Sequence, residues 1–214
     1  MPPAPKPVLC YVTDGRAFPP AALAAESAPL DPAALAIHFL HDSIRRAASA
    51  GASWIQIREK DLDARMLLEL VRFAVAETTT AGARVLVNDR LDVALAGNAA
   101  GVHLGENSLP LESVTAWRRS SGLADFLIGV SCHSLESARA AERGGADYIF
   151  FGPVFATPSK AAYGVPQGID RLREVCRAVA VPVLAIGGIN SENLQTCINA
   201  GAAGIAAIRL FQEK

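Results

Sequence analysis

"WIQIREKDLDARMLLELVRFAVAETTTAGARVLVN", residues 54–88, contains the unit from which this chain is built. It opens on "WIQI", three strand formers around one amide, and closes on "RVLVN", a second short apolar run. Between them, "LDARMLLELVRFAVAETTTAGA" spaces its apolar residues as an amphipathic helix does. Strand, helix, strand in that order is the crossover unit of a parallel sheet. Strand side chains alternate with a period of two, so Gln56, Arg58 and Lys60 fall in one row. An amide and two cations on one face are unexpected in so apolar a neighbourhood.

The same alternation runs through the chain. "VLCYVT" (8–13), "GVHL" (101–104), "FLIGVS" (126–131), "DYIFFG" (147–152), "VPVLAIGG" (181–188) and "AGIAAI" (203–208) read as further buried strands. Helix-like stretches such as "SLESARAAERGGA" lie between them, and "AAGV", "ERGGAD" and "NAGAAG" mark helix ends leading into strands. Eight strands with alternating helices predict an α/β fold, the (β/α)8 TIM barrel. The rival is an open doubly wound sheet, but "YVTDGRAFPP" after the first strand carries no G-x-G-x-x-G. Residues 1–214 are expected to form one barrel domain, with 17–33 an Ala/Pro-rich insertion after the first strand. The ending "RLFQEK" predicts a truncated or absent eighth helix. The barrel wall there would then need cover from the insertion or from a second subunit, which makes a homodimer an expectation.

Composition narrows the function classes. About half of the residues are hydrophobic and the formal net charge is −1, with no basic stretch to track a nucleic-acid backbone. Scattered Arg and Lys remain compatible with a small anionic ligand. Cys10, Cys132, Cys176 and Cys197 lie far apart and read as reduced thiols of a cytoplasmic protein rather than as zinc ligands or disulfides. "MPPAPKPV" has no apolar core of a signal peptide, and no run approaches the roughly 20 apolar residues of a membrane span.

In a barrel of this kind ligands bind at the C-terminal ends of the strands. Those ends collect Thr13 and Asp14, Arg58 and Lys60, Asn88 and Asp89, His103, Ser131 with His133, the loop "PVFATPSK", Gly187 with Gly188, and Ile208 with Arg209. "AIGGIN" offers backbone N–H groups that suit a phosphate, or else an ordinary glycine turn. Asp89 of "VNDR" suits a single-carboxylate Mg2+ site as well as it suits a helix cap. "TPSK" (157–160) reads as a loop able to fold over phosphates, and His133 as a structural hydrogen-bonding residue.

"QIREK", "VNDRLDVA", "GVHLG", "IGVSCHSLESA", "ADYIFFGPVFATPSK", "VLAIGGI" and "AGAAGIAAI" together resemble, in order and spacing, the thiamine phosphate synthase family and its relatives the thiazole tautomerases. The resemblance implies a transferase of thiamine biosynthesis. It would join 4-amino-5-hydroxymethyl-2-methylpyrimidine diphosphate to thiazole phosphate and release pyrophosphate. It further implies Gln56 against the pyrimidine, and Arg58, Lys60, Asn88 and Lys160 on the diphosphate. Asp89 is implied as the ligand of a Mg2+ cofactor and Ser131 as a residue beside the reacting centre. Thr157, Ser159, Gly188 and Ile208 are implied as thiazole-phosphate or loop contacts. Of these, Arg58, Lys60, Ser131 and Lys160 are the residues expected to act on the reacting groups. Ser108 stands where such synthases carry a second metal-binding Asp, and Arg209 where they carry Ser. Pro153 stands where the tautomerases carry a His, which favours the synthase. The alternatives are a tautomerase-like enzyme and a non-catalytic binder of thiamine-related phosphates.

Overall fold

The computed structural model describes residues 6–17, 32–157 and 165–212. Eight parallel strands close on themselves in chain order: β1 (Val8–Val12), β2 (Trp54–Ile57), β3 (Arg84–Asn88), β4 (Gly101–Leu104), β5 (Leu127–Cys132), β6 (Tyr148–Phe151), β7 (Val183–Ile186) and β8 (Gly204–Ala207). Closure is made by β8 lying beside β1, with Cys10 opposite Ala206. The expected (β/α)8 barrel is therefore the fold, and the expected strands match the observed ones to within two residues at each end. Closing the sheet leaves it no free edge.

Helices connect the strands: α1 (Pro32–Ser49), α2 (Ala64–Thr78), α3 (Leu91–Ala96), α4 (Leu111–Ser121), α5 (Leu135–Arg143), α6 (Gly168–Ala178), α7 (Leu194–Asn199) and α8 (Arg209–Gln212). Their ends follow local chemistry. Asp63 caps α2 by accepting from the Met66 N–H at 2.9 Å. Ser134 and Ser137 close a reciprocal box at the start of α5. Gly122 ends α4 in the left-handed conformation at φ 69°. No described helix is long and apolar enough to cross a membrane.

Alternation along the strands sorts residues into two cores. Ile55, Ile57, Val85, Val87, Val102, Ile128, Ile149 and Phe151 face outward and pack with the apolar stripes of the helices. Burying one such side chain contributes about 1.5–3 kcal/mol, so this layer supplies most of the driving force. Cys10, Val12, Leu86, Tyr148, Phe150, Leu184 and Ala206 face inward and fill the lower barrel. Gly129 belongs to the same inner layer. A Cβ there would lie 2.0 Å from Cζ of Tyr148, so the phenol occupies the space that any larger residue would need.

The eighth helix is described as a single turn, as the truncated reading expected. Phe211 packs its ring 5.5 Å from that of Tyr11, and Gln212 donates to the Tyr11 hydroxyl at 3.1 Å and the Asp14 carbonyl at 3.3 Å. That turn ties the last strand back to the first. Residues 18–31 of the expected insertion lie outside the described residues. All four cysteines are free thiols, with Cys10, Cys132 and Cys197 buried.

Candidate active site at the barrel mouth

Gln56 lies between the outward-facing Ile55 and Ile57, so its amide points into the barrel and is 2% exposed. Its Nε2 donates to Oδ1 of Asn88 on the neighbouring strand at 3.2 Å. Its Oε1 is buried and has no hydrogen-bond partner among the described residues. Leaving a buried amide oxygen unpaired costs about 1–3 kcal/mol, which a ligand N–H would recover.

Above Gln56 the strand ends, and the row predicted for Arg58 and Lys60 divides. Arg58 is held by its backbone, whose N–H donates to Oγ1 of the fully buried Thr13 at 2.9 Å. Thr13 in turn donates its N–H to the Gln56 carbonyl at 2.9 Å, which fastens the ends of β1 and β2 together. Lys60 follows in an exposed turn rather than in a continued strand. Neither cation forms a salt bridge with a described residue, whereas Arg16 close by is paired with Asp61. Glu59, between the two, turns away. Its Oε2 accepts the Gly15 N–H at 3.0 Å, its Oε1 is buried without a partner among the described residues, and burial raises its pKa.

Asp89 follows β3 with a left-handed backbone, φ 67°, and its N–H donates to the His103 carbonyl at 2.8 Å. That conformation is costly for a residue other than Gly and recurs at functional sites. The helix-cap alternative for Asp89 does not hold: Arg90 occupies the cap position of α3, with no side-chain cap bond. The Asp89 carboxylate is exposed and forms no hydrogen bond or ion pair with a described residue, while Arg90 pairs with Asp92. No cluster of three or more His, Cys, Asp or Glu side chains suited to a metal occurs among the described residues. A Mg2+ ion fits the donor set only as an ion on one carboxylate, completed by phosphate oxygens and waters. The Ser108 hydroxyl is engaged in its own turn, accepting the Gly105 N–H at 2.8 Å.

A polar chain crosses the interior beneath these groups. His103, 1% exposed, places Nδ1 3.1 Å from the Tyr148 hydroxyl and Nε2 2.9 Å from Oγ of Ser131. Burial, with the Arg58 charge adding to it, lowers the His103 pKa to about 3, so the imidazole is neutral. His133 sits beside the mouth with Nδ1 against the Gly152 carbonyl and its backbone N–H on Ser137, the structural role expected of it.

The loops after β6 and β7 are pressed together. Phe155 donates its N–H to the Gly187 carbonyl at 3.0 Å, and a Cβ at Gly188 (φ 67°) would lie 2.6 Å from the Ala156 carbonyl oxygen. Glycine is required here both for its backbone and for the space. Among the described residues the N–H groups of Gly188 and Ile189 donate to no protein acceptor. Asn193 fixes this loop by donating to the Gly188 carbonyl at 2.9 Å. Ile208 packs against the inner cluster, and the next residue, Arg209, is exposed and free of salt bridges with described residues. Thr157 is half-buried at the end of the described β6 loop, and Ser159 and Lys160 lie outside the described residues.

The mouth thus brings together Gln56, Arg58, Asn88, Asp89 and Ser131, with Lys60, Gly188 and Ile208 around it. Sequence reasoning gave no role to Tyr148 or Glu59 and named His103 only as one of the polar residues at the strand ends. Parity along β6 was the available signal, since Tyr148 shares the inward face with Phe150.

Likeness to known proteins bears on this geometry. A family model described as thiamine monophosphate synthase matches residues 32–211. A thiamine-phosphate synthase of Methanocella arvoryzae is 47% identical over 164 residues, covering 77% of this chain and 76% of its own length. A thiamine-phosphate synthase of Moorella thermoacetica is 45% identical over 165 residues, covering 77% of each chain. The solved structure of a thiamine phosphate pyrophosphorylase from Pyrococcus furiosus superposes with a TM-score of 0.76 at 34% identity, covering 94% of this chain and 85% of that one. This chain belongs to the thiamine monophosphate synthase family.

Proposed function

We propose that the chain is a thiamine-phosphate synthase, a transferase that joins 4-amino-5-hydroxymethyl-2-methylpyrimidine diphosphate to thiazole phosphate. The observation that carries this reading is the order of groups along β2 and the segment that follows it. A buried amide with an unspent oxygen lies below, and two cations without carboxylate partners among the described residues lie above. A ligand with an amino-bearing ring at one end and a strong anion at the other matches that order. Gln56 Oε1 accepts the exocyclic amine of the pyrimidine, and Asn88 holds the amide in register for it.

The reaction breaks the bond between the pyrimidine methylene carbon and the bridging diphosphate oxygen. The electron pair leaves with the diphosphate, and the carbon becomes cationic. The ring nitrogen of the thiazole then supplies the electron pair of the new C–N bond, so no proton has to be removed from the attacking atom. Catalysis requires positive charge and donors where the leaving group gains negative charge. Arg58 and Lys60 supply the charge, joined by Lys160. Ser131 supplies a hydrogen bond beside the breaking bond. Asp89 would hold a Mg2+ ion, which when bound would supply further positive charge for the leaving group. The N–H groups of Gly188 and Ile189 take the phosphate of the thiazole, with Thr157 and Ile208 on that side, and Ser159, outside the described residues, is assigned to the same substrate by the family resemblance alone.

Calorimetric titration with pyrophosphate tests the anion half of this reading. Binding should strengthen with Mg2+ and weaken in Arg58→Ala. Tight binding that ignores Mg2+, in a protein that forms no product, would favour a non-catalytic binder, the reading that Ser108 in its closed turn supports.

A further inference from the structure

We propose that Tyr148 and His103 are positioning residues that turn Ser131 into a hydrogen-bond donor toward the diphosphate of the substrate. The inference rests on the function proposed above and adds two residues to its site.

A proton count along the chain Tyr148–His103–Ser131 fixes which group donates at each link. Tyr148 is 1% exposed, and its ring is walled by Trp54, 4.7 Å away, by Phe150, 5.4 Å away, and by Gly129. Among the described residues the only hydrogen-bond partner of its hydroxyl is Nδ1 of His103, at 3.1 Å. A buried O–H needs an acceptor, so the phenol donates to Nδ1. No carboxylate of a described residue lies against the His103 ring. Phe150 covers one face at a centroid distance of 4.2 Å, and a buried imidazolium without a counter-ion is strongly disfavoured. The ring is therefore neutral with its single proton on Nε2, which faces Oγ of Ser131 at 2.9 Å. Ser131 accepts that bond. Its own proton is left for a partner outside the chain of three, on the side of the mouth. A diphosphate oxygen is acceptor-only, and the prepared hydroxyl matches it without reorienting when the ligand arrives.

Two measurements test the proposal. In 15N-histidine-labelled protein at neutral pH, the His103 ring should show one tautomer with the proton on Nε2. In Tyr148→Phe, which keeps the ring but removes the donor, the Nδ1–H form should become populated. Steady-state kinetics of the same variant should show kcat lowered about tenfold, the loss of roughly 1.4 kcal/mol from the transition state, with KM within about twofold. In a Ser131→Ala background, Tyr148→Phe should lower kcat no further, because its effect is carried through the hydroxyl. An Nδ1–H tautomer in the unaltered protein, an unchanged tautomer in Tyr148→Phe, or an equal loss in both backgrounds would each overturn the proposal. The tautomer readout needs no turnover, so a protein that makes no thiamine phosphate would refute the function while the spectra still decide the relay.

Discussion

Gln56 and Asn88, on adjacent strands, share one hydrogen bond of 3.2 Å, and it engages one N–H of the glutamine amide. The oxygen end stays buried and unpaired among the described residues. A fold that maintains such a half-satisfied group carries a local cost unless a ligand relieves it. Replacing Gln56 by Leu removes the unpaired oxygen along with the bond to Asn88, so stability should change by less than about 1 kcal/mol. KM for the pyrimidine diphosphate should rise about 10- to 100-fold, the worth of one buried hydrogen bond. Denaturant unfolding and steady-state kinetics on one preparation check both halves.

Arg58→Ala should lower kcat/KM by at least about 100-fold, since a charged donor at the leaving group is removed. The melting temperature should stay within a few degrees, because Arg58 forms no salt bridge with a described residue whose loss would strand a carboxylate. Thermal unfolding beside the rate assay separates the two effects. An unchanged rate would remove Arg58 from the site.

Asp89 should show the opposite relation between stability and activity. Its φ of 67° is strained for Asp and free for Gly. Asp89→Gly should therefore be as stable as the unaltered protein or more so by up to about 1 kcal/mol, while losing Mg2+-dependent turnover. Destabilisation by more than about 1 kcal/mol would mean that the side chain serves the fold instead.

The barrel was legible in the sequence because it rests on local patterns: "WIQI", "RVLVN" and "GVHL" coincide with β2, β3 and β4 at both ends. The site was legible where an inward parity set polar residues in an apolar strand, as at Gln56. It was not legible where the chain leaves that parity. Lys60 is in a turn because Glu59 is drawn off to the Gly15 N–H, a contact spanning 44 residues that no local pattern announces. Tyr148 was hidden for another reason. A tyrosine in "DYIFFG" looks like any apolar strand residue until Gly129 on the next strand makes room for its hydroxyl beside His103.

Glu59 gives a pH signature. Burial raises its pKa above the ordinary 4.5, so the folded protein holds this proton more tightly than the unfolded chain does. The resulting contribution is fully present below pH 4.5 and is lost as pH rises through the folded pKa. Glu59→Gln keeps an acceptor for Gly15 and cannot ionise. The stability difference between Glu59→Gln and the unaltered protein should shift in favour of the variant as pH rises from about 4 to 7, as read by urea unfolding. A difference independent of pH would show that Glu59 titrates as an exposed acid does.

Arg118 and Asp147 form a largely buried pair below the barrel, and Asp147 also accepts the Ile128 N–H at 2.7 Å. Arg118→Ala should cost about 2–4 kcal/mol by leaving that carboxylate without its cation. KM for either substrate should not move, since the pair lies at the end of the barrel away from the mouth.

The central claim is tested most directly by supplying the purified protein with 4-amino-5-hydroxymethyl-2-methylpyrimidine diphosphate, thiazole phosphate and Mg2+, and quantifying both products. Thiamine phosphate and pyrophosphate should appear in equal amounts, and chelating the metal should stop them. Folded protein that binds pyrophosphate yet forms no thiamine phosphate at any Mg2+ concentration would contradict the account.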